Sequence, residues 1–173
     1  MLRLEPVTKE NIKNIPGYCK QCLYWQTTDA DKKPSENQTE KIRQNWLLRV
    51  QKEEGISGYI AYADTTPTGF VQLASTKHFP RLKEYTNATP NQDAVFLACL
   101  YIPKQEDRNK GYGTQMLKSL ITELKQRGFK AIETFARKSS SENPSGPLGF
   151  YLKNGFKMTH NDTDFPLVRL ELA

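Results

Sequence analysis

Between Ala94 and Leu124 the chain carries a set of residues suited to holding an anion. An unbroken apolar run, Ala94–Ile102, leads to Arg108, Asn109, Lys110, Gly111, Tyr112, Gly113 and Thr114, and an amphipathic segment follows with Met116, Leu117, Leu120, Ile121 and Leu124 on one side. That order predicts a buried strand, a glycine-bearing basic loop and the start of a helix. The first amides of a helix have no intrahelical partner, and the helix dipole favours negative charge there. The chemistry expected is phosphate binding. Gly111 and Gly113 lack a Cβ, so a diphosphate can approach the amides closely. Arg108 and Lys110 add charge-assisted contacts. No Gly-Lys-Ser/Thr follows the spacer a P-loop requires, and the glycine spacing is not that of the dinucleotide fingerprint. A tight turn whose glycines serve chain geometry alone is the competing reading.

A second candidate is Cys19-Lys20-Gln21-Cys22. A structural zinc site needs four ligands, and Cys99, His78 and His160 show no paired ligand spacing to complete one. A redox pair would need its first Cys at a helix start after a strand. Neither condition is met, so no metal site is expected. The cysteines more readily lie beside Tyr24 and Trp25 between the first helices.

These residues need elements to position them. Leu2 and Leu4 alternate with Arg3 and Glu5, predicting an edge strand, and Thr8 caps a short helix through Ile15 that Pro16 stops. Ser35 and Gln38 form a capping-box pattern ahead of a helix to Lys52, with Ile42, Trp46 and Val50 on its inner face. Ile56–Ala63 and Gly69–Ala74 read as a hairpin joined by Asp64–Thr68. Residues 75–93 form a long polar loop of the kind that is functional or disordered. The apolar run is a central strand covered on both faces. Gly128 ends the next helix, and Ala131–Ala136 is a strand parallel to the apolar one. Pro147 opens a short helix through Asn154, with Phe156–His160 and Pro166–Leu172 as a closing pair.

The chain of 173 residues suits one domain, 1–173, and its net charge of +6 fits an anionic ligand or an acidic substrate. Its basic residues are dispersed, which disfavours a nucleic-acid-binding arm. No apolar run approaches a membrane span and no signal-peptide core opens the sequence, so a cytoplasmic location is expected.

About 40 residues beyond the glycine loop stands Phe150-Tyr151-Leu152-Lys153-Asn154-Gly155-Phe156. Taken with Arg-x-x-Gly-x-Gly, and with the strand, two helices and hairpin before it, this resembles the GNAT superfamily of acyl-CoA-dependent N-acyltransferases over nearly the whole chain. The resemblance implies an α/β, three-layer α-β-α fold: a mixed, mostly antiparallel sheet, splayed at a central parallel strand pair, with helices on both faces. It implies that amides around Arg108–Thr114 hold the pyrophosphate of acetyl-CoA, and that backbone at Leu100, Tyr101 and Ile102 pairs with the pantetheine arm as an added strand would. It places Tyr151 near the thioester sulfur, where a phenol is a proton donor to the departing thiolate.

Three departures from the family pattern stand out. The Asn often found seven residues before that Tyr is here Pro144, with Asn143 one residue off and offered as the cofactor contact instead. The turn between Ile102 and Arg108 is longer than usual. The apolar strand offers no carboxylate as general base, leaving water relays or an acid such as Glu133. The acceptor pocket implied by the resemblance includes Tyr24 and Trp25, with His78, Phe79, Arg81 and Tyr85 as its other wall. The expected reaction is transfer of an acetyl group from acetyl-CoA to an amine of a small molecule or protein, with Tyr151 catalytic and no metal. The partner is that amine-bearing acceptor, with no membrane and with a homodimer left open. A non-catalytic acyl-CoA-binding module and a basic nucleic-acid-binding domain are the alternatives.

Overall fold

The computed structural model describes residues 2–140 and 146–173. Among these residues ten regular elements run in the order β1 (Leu2–Pro6), α1 (Glu36–Glu54), β2 (Gly58–Ala63), β3 (Thr66–Ala74), β4 (Ala94–Tyr101), α2 (Tyr112–Gln126), β5 (Ala131–Phe135), α3 (Leu148–Lys153), β6 (Lys157–His160) and β7 (Leu167–Glu171), with short 3-10 turns between. The strands form one sheet in the order β1-β2-β3-β4-β5-β7-β6. Only β4 and β5 are parallel, and α2 is their crossover. The three-layer α/β architecture is therefore as expected from the sequence.

The two faces of the sheet hold separate cores. On one, Met116, Leu117, Leu120 and Leu124 of α2 pack with Tyr151 and Phe156. On the other, Trp46, Leu47 and Val50 of α1 pack with Trp25, Phe79 and Phe96. Strand β4 lies between them, with every residue from Ala94 to Leu100 buried, which explains its lack of polar alternation.

Several local expectations need correction. Instead of a helix from Thr8 to Ile15 there is a single 3-10 turn, Ile12–Asn14. Thr8 does not cap it: its hydroxyl accepts from the amides of Glu10 and Asn11 at 3.2 and 3.3 Å, in the bend just before, and the N-cap of the turn is Asn11, with no side-chain bond. Pro16 cuts this segment too short for a nucleated helix. The inner stripe of α1 begins at Arg43, while Ile42 is 40% exposed. Gln38 Oε1 accepts from the Ser35 amide at 3.1 Å, as the capping pattern requires. The hairpin turn is only Asp64-Thr65, because a bulge opposite Ala61 and Tyr62 lets β3 begin at Thr66. The polar stretch 75–93 is not a bare loop. It contains 3-10 turns Thr76–His78 and Pro80–Glu84, and buries His78, Phe79 and Arg81.

Two irregularities shape the centre of the sheet. The parallel ladder has only three pairs, Ala94–Ala131, Val95–Ile132 and Phe96–Glu133. The register between β3 and β4 slips at the same level: Gln72 faces Cys99 and Leu73 faces Leu97, leaving Ala98 as the extra residue of a bulge. A bulge bends its strand and raises its twist. Strand β4 therefore leaves β5 and runs on beside β3 alone, with Val71–Leu100 and Phe70–Tyr101 as its last pairs.

Candidate active site

The end of β4 leads into a 3-10 turn, Gln105–Asp107, and then into the glycine loop. Asn109 and Gly111 both have positive φ, 61° and 78°, which folds the loop back over the start of α2. Gly111 is the N-cap of α2 and offers no side chain to cap it. The first helical bond is Gln115 N to Gly111 O at 3.1 Å, so the amides of Tyr112, Gly113 and Thr114 precede the hydrogen-bonded helix. No acidic residue stands in that first turn. The helix end is thus an uncapped donor set with the favourable sign of dipole for an anion.

The two basic side chains are held by groups of the loop and the end of β4. Arg108 Nε donates to Ile102 O at 2.9 Å, and its Nη2 donates to the Tyr101 hydroxyl at 2.9 Å. Its guanidinium also lies over the Tyr101 ring. Arg108 therefore straps the end of β4 to the loop, while still lining the cleft. Lys110 is turned outward onto Asp107, 2.9 Å away, and does not line it.

The cleft has a volume of about 280 Å³. The structure brings to it Leu100, Tyr101, Ile102, Arg108, Asn109, Gly111, Tyr112, Gly113, Thr114 and Tyr151, all named from sequence. Asn143 lies outside the described residues. Gly146, Pro147 and Phe150 also line the cleft, which the sequence reading does not foresee. Their only sequence signal was proximity to Tyr151. They arrive because Arg137 N donates to Gly146 O and Leu148 N to Arg137 O, both at 2.9 Å, which staples the start of α3 to the end of β5. Gly146 has φ of 77°, and a Cβ there would stand 3.2 Å from the Tyr151 ring. A glycine is needed to let the phenol pass.

Tyr151 is 1% exposed, at the junction of the cleft and the sheet. Burial pushes its phenol above the ordinary value; the Thr134 hydroxyl pulls the other way and Cys99 adds to the rise. The hydroxyl therefore stays protonated and can act as a donor.

On the opposite face, Tyr24 lines a second cavity of about 340 Å³ with Arg81, Tyr85, Phe135 and Phe165. The Tyr24 and Tyr85 hydroxyls are 2.7 Å apart. Arg81 pairs with Asp29 and Glu84 at 2.9 and 2.7 Å, and lies over the Tyr24 ring. Trp25 stands behind this cavity, stacked on Tyr85 and edge-on to Phe96. His78 is not in its lining. It is drawn instead to the end of α1, where Nε2 meets Glu54 Oε1 at 2.9 Å and the ring packs edge-on to Trp46. Burial would push Glu54 up, but the Ser75 hydroxyl and amide, Lys77 and His78 outweigh it and hold the carboxyl at about 2.

Glu133 is not a base facing the cleft. It is fully buried, accepting from Asn91 N at 2.6 Å, Asn91 Nδ2 at 2.8 Å and Arg169 Nη1 at 3.1 Å. It ties the approach to β4 to β5 and β7. Among the described residues, no group of three or more His, Cys, Asp or Glu side chains is placed to hold a metal ion. Burial pushes the Cys19 thiol up to about 12, which suits a packed thiol better than a redox one.

Residues 20–156 match the model of the acetyltransferase (GNAT) family. The chain belongs to that family. No curated protein matches the sequence. Solved structures resemble it along its whole length at low identity. The N-acetyltransferase of Staphylococcus aureus Mu50 has a TM-score of 0.66 and 18% identity, covering 100% of this chain and 99% of its own. The PaiA N-acetyltransferase of Thermoplasma acidophilum, solved in complex with coenzyme A, has 0.60 and 18%, covering 99% of each. The ribosomal-protein-S18-alanine N-acetyltransferase of Escherichia coli has 0.59 and 14%, covering 100% and 95%. These likenesses concern the fold. The GNAT chain described here also has no helix, among its described residues, long and apolar enough to cross a membrane.

Proposed function

We propose that this GNAT protein transfers an acetyl group from acetyl-CoA to an amine by direct attack, within a single domain spanning residues 1–173. The observation that carries the reading is the uncapped amide set of Tyr112, Gly113 and Thr114, opening onto a cleft that ends at the buried Tyr151. A pyrophosphate would sit on those amides. The pantetheine arm would run along Leu100–Ile102, where the end of β4 has β3 on one side and, among the described residues, no strand on the other. A bound coenzyme A seen in the Thermoplasma relative supports a donor of this type.

The chemistry assigned to this chain is mostly positioning. The free amine attacks the thioester carbonyl, and the C–S bond breaks as the amide bond forms. Backbone amides at the Ala98 bulge are the candidates for stabilising the oxyanion. Tyr151 gives its proton to the departing thiolate and recovers one from the attacking nitrogen through solvent. The acceptor enters from the Tyr24 and Tyr85 side, opposite the donor cleft. Leu100, Tyr101, Ile102, Asn109, Gly111 and Arg108 shape the donor path, and Lys110 serves the loop.

Melting the protein with and without acetyl-CoA tests the reading. A hundredfold excess over Kd contributes about 2.7 kcal/mol, a rise of roughly 5–10 °C for a domain of this size. Turnover on an amine panel then separates an enzyme from a binding module. An unchanged Tm at millimolar acetyl-CoA would sink the reading.

A further inference from the structure

Arg43 is the one charged residue in the buried stripe of α1, and only 2% of it is exposed. Nη1 of its guanidinium is satisfied, donating to Gln26 Oε1 at 3.0 Å and to Gln72 Oε1 at 2.9 Å. The guanidinium carbon lies 5.3 Å from the centroid of the Phe70 ring. No carboxylate pairs with it among the described residues, and burial pushes its pKa below the ordinary guanidinium value. A cation removed from water without a counter-charge is strongly disfavoured.

The same cluster has surplus donors. Arg43 Nε, Gln26 Nε2 and Gln72 Nε2 are buried without a hydrogen-bond partner among the described residues. All three are N–H groups, and both amide oxygens already serve Nη1. Buried polar groups in native proteins are nearly always satisfied. A water molecule can take some of these bonds but leaves the charge uncompensated. A group that only accepts and is negative answers both needs, and a carboxylate is the simplest.

The cluster also adjoins the reacting centre. Gln72 faces Cys99 in register beside the Ala98 bulge, where β4 turns away from β5. Gln26 is only half-buried, and it closes the turn whose Tyr24 lines the second cavity.

We propose that Arg43, Gln26 and Gln72 form an anion subsite on the acceptor side of the sheet. Its ligand is the carboxylate of an amino-carboxylate acceptor, or a free small anion of the same chemistry. The first source rests on the acetyl-transfer reading; the second does not.

Two measurements on the full chain separate the sources. In the first, Tm is read in sodium formate or chloride and in a bulky sulfonate at equal ionic strength. The wild type should gain about 2–5 °C in the small anions, and Arg43→Met should gain nothing. Gln72→Glu supplies an internal counter-charge of nearly the same shape. It should abolish the anion dependence while keeping the fold, so the test survives if Arg43→Met does not fold. In the second, acetyl transfer is measured for amino acids, each paired with the amine left on removing its carboxylate. A preference in kcat/KM of about tenfold or more for the amino acid, lost in Gln72→Glu with KM for acetyl-CoA unchanged, assigns the subsite to the acceptor. Small-anion stabilisation without that preference assigns it to a free anion. Equal Tm in every salt with no carboxylate preference overturns the proposal. No turnover of any amine, with the formate effect intact, overturns the acetyl-transfer reading and leaves the subsite standing.

Discussion

Thr134 Oγ1 donates to Leu97 O at 2.7 Å across the level where β4 and β5 stop pairing. The last ladder pair is Phe96–Glu133, one residue earlier on each strand. A side chain thus makes the contact that a backbone amide would make in a continuous ladder. Beyond it the strands are free to part around the bulge at Ala98, and the same hydroxyl stands beside the Tyr151 phenol. Thr134→Val leaves a buried carbonyl unpaired and should cost about 1–3 kcal/mol in urea denaturation. Thr134→Ser keeps the donor and should stay within about 1 kcal/mol of wild type.

The loop glycines should respond differently from each other. Gly111 has φ of 78°, so Gly111→Ala strains the backbone by about 1–3 kcal/mol and should lower Tm. A Cβ at Gly113 has its nearest neighbour, Phe150, 3.6 Å away, an ordinary contact. Gly113→Ala should therefore fold normally. Gly113→Glu puts a carboxylate at the helix N-terminus and should abolish the acetyl-CoA-dependent Tm rise with the fold intact. Normal binding by that variant would exclude the loop as the pyrophosphate site.

Tyr151→Phe removes the proposed acid and should lower kcat by about 10²-fold or more with little change in KM for acetyl-CoA. A loss smaller than about threefold would remove Tyr151 from the chemistry. Its folded pKa is raised, so its contribution to stability is fully present below the unfolded value of about 10 and is lost as pH rises above it. The Tm of the wild type relative to Tyr151→Phe should therefore fall in alkali.

Glu54 works at the opposite end of the pH scale. Its folded pKa of about 2 is below the unfolded carboxylate value, so the stability it adds is present above that value and is lost as pH falls toward 2. The Tm difference between wild type and Glu54→Gln should be constant at neutral pH and should shrink from about pH 4.5 downward. A difference that does not change with pH would mean that Glu54 acts through packing alone.

Much of the donor cleft was legible locally. An anion site at a helix N-terminus needs a strand, a turn of glycines and a helix in succession, and Arg108, Gly111 and Gly113 show that order directly. Gly146 and Phe150 were not legible as lining, because a backbone staple between Arg137 and α3 puts them there. His78 sits away from the Tyr24 cavity for a similar reason. Nothing in its neighbourhood in sequence reveals that Glu54, at the far end of α1, would claim it.

The sequence by itself determined the elements and the donor loop, since periodicity, caps and positive-φ glycines act within a few residues along the chain. Only the tertiary structure decided where β4 leaves β5. That depends on one extra residue at Ala98 and on the Thr134 hydroxyl, which reaches Leu97 O from 37 positions away in the chain. It also decided that Arg43 is buried with no carboxylate beside it among the described residues, a matter of which side chains meet across α1, β3 and the Tyr24–Gln26 turn. Burial and charge pairing are properties of the packed chain, and no local spacing encodes them.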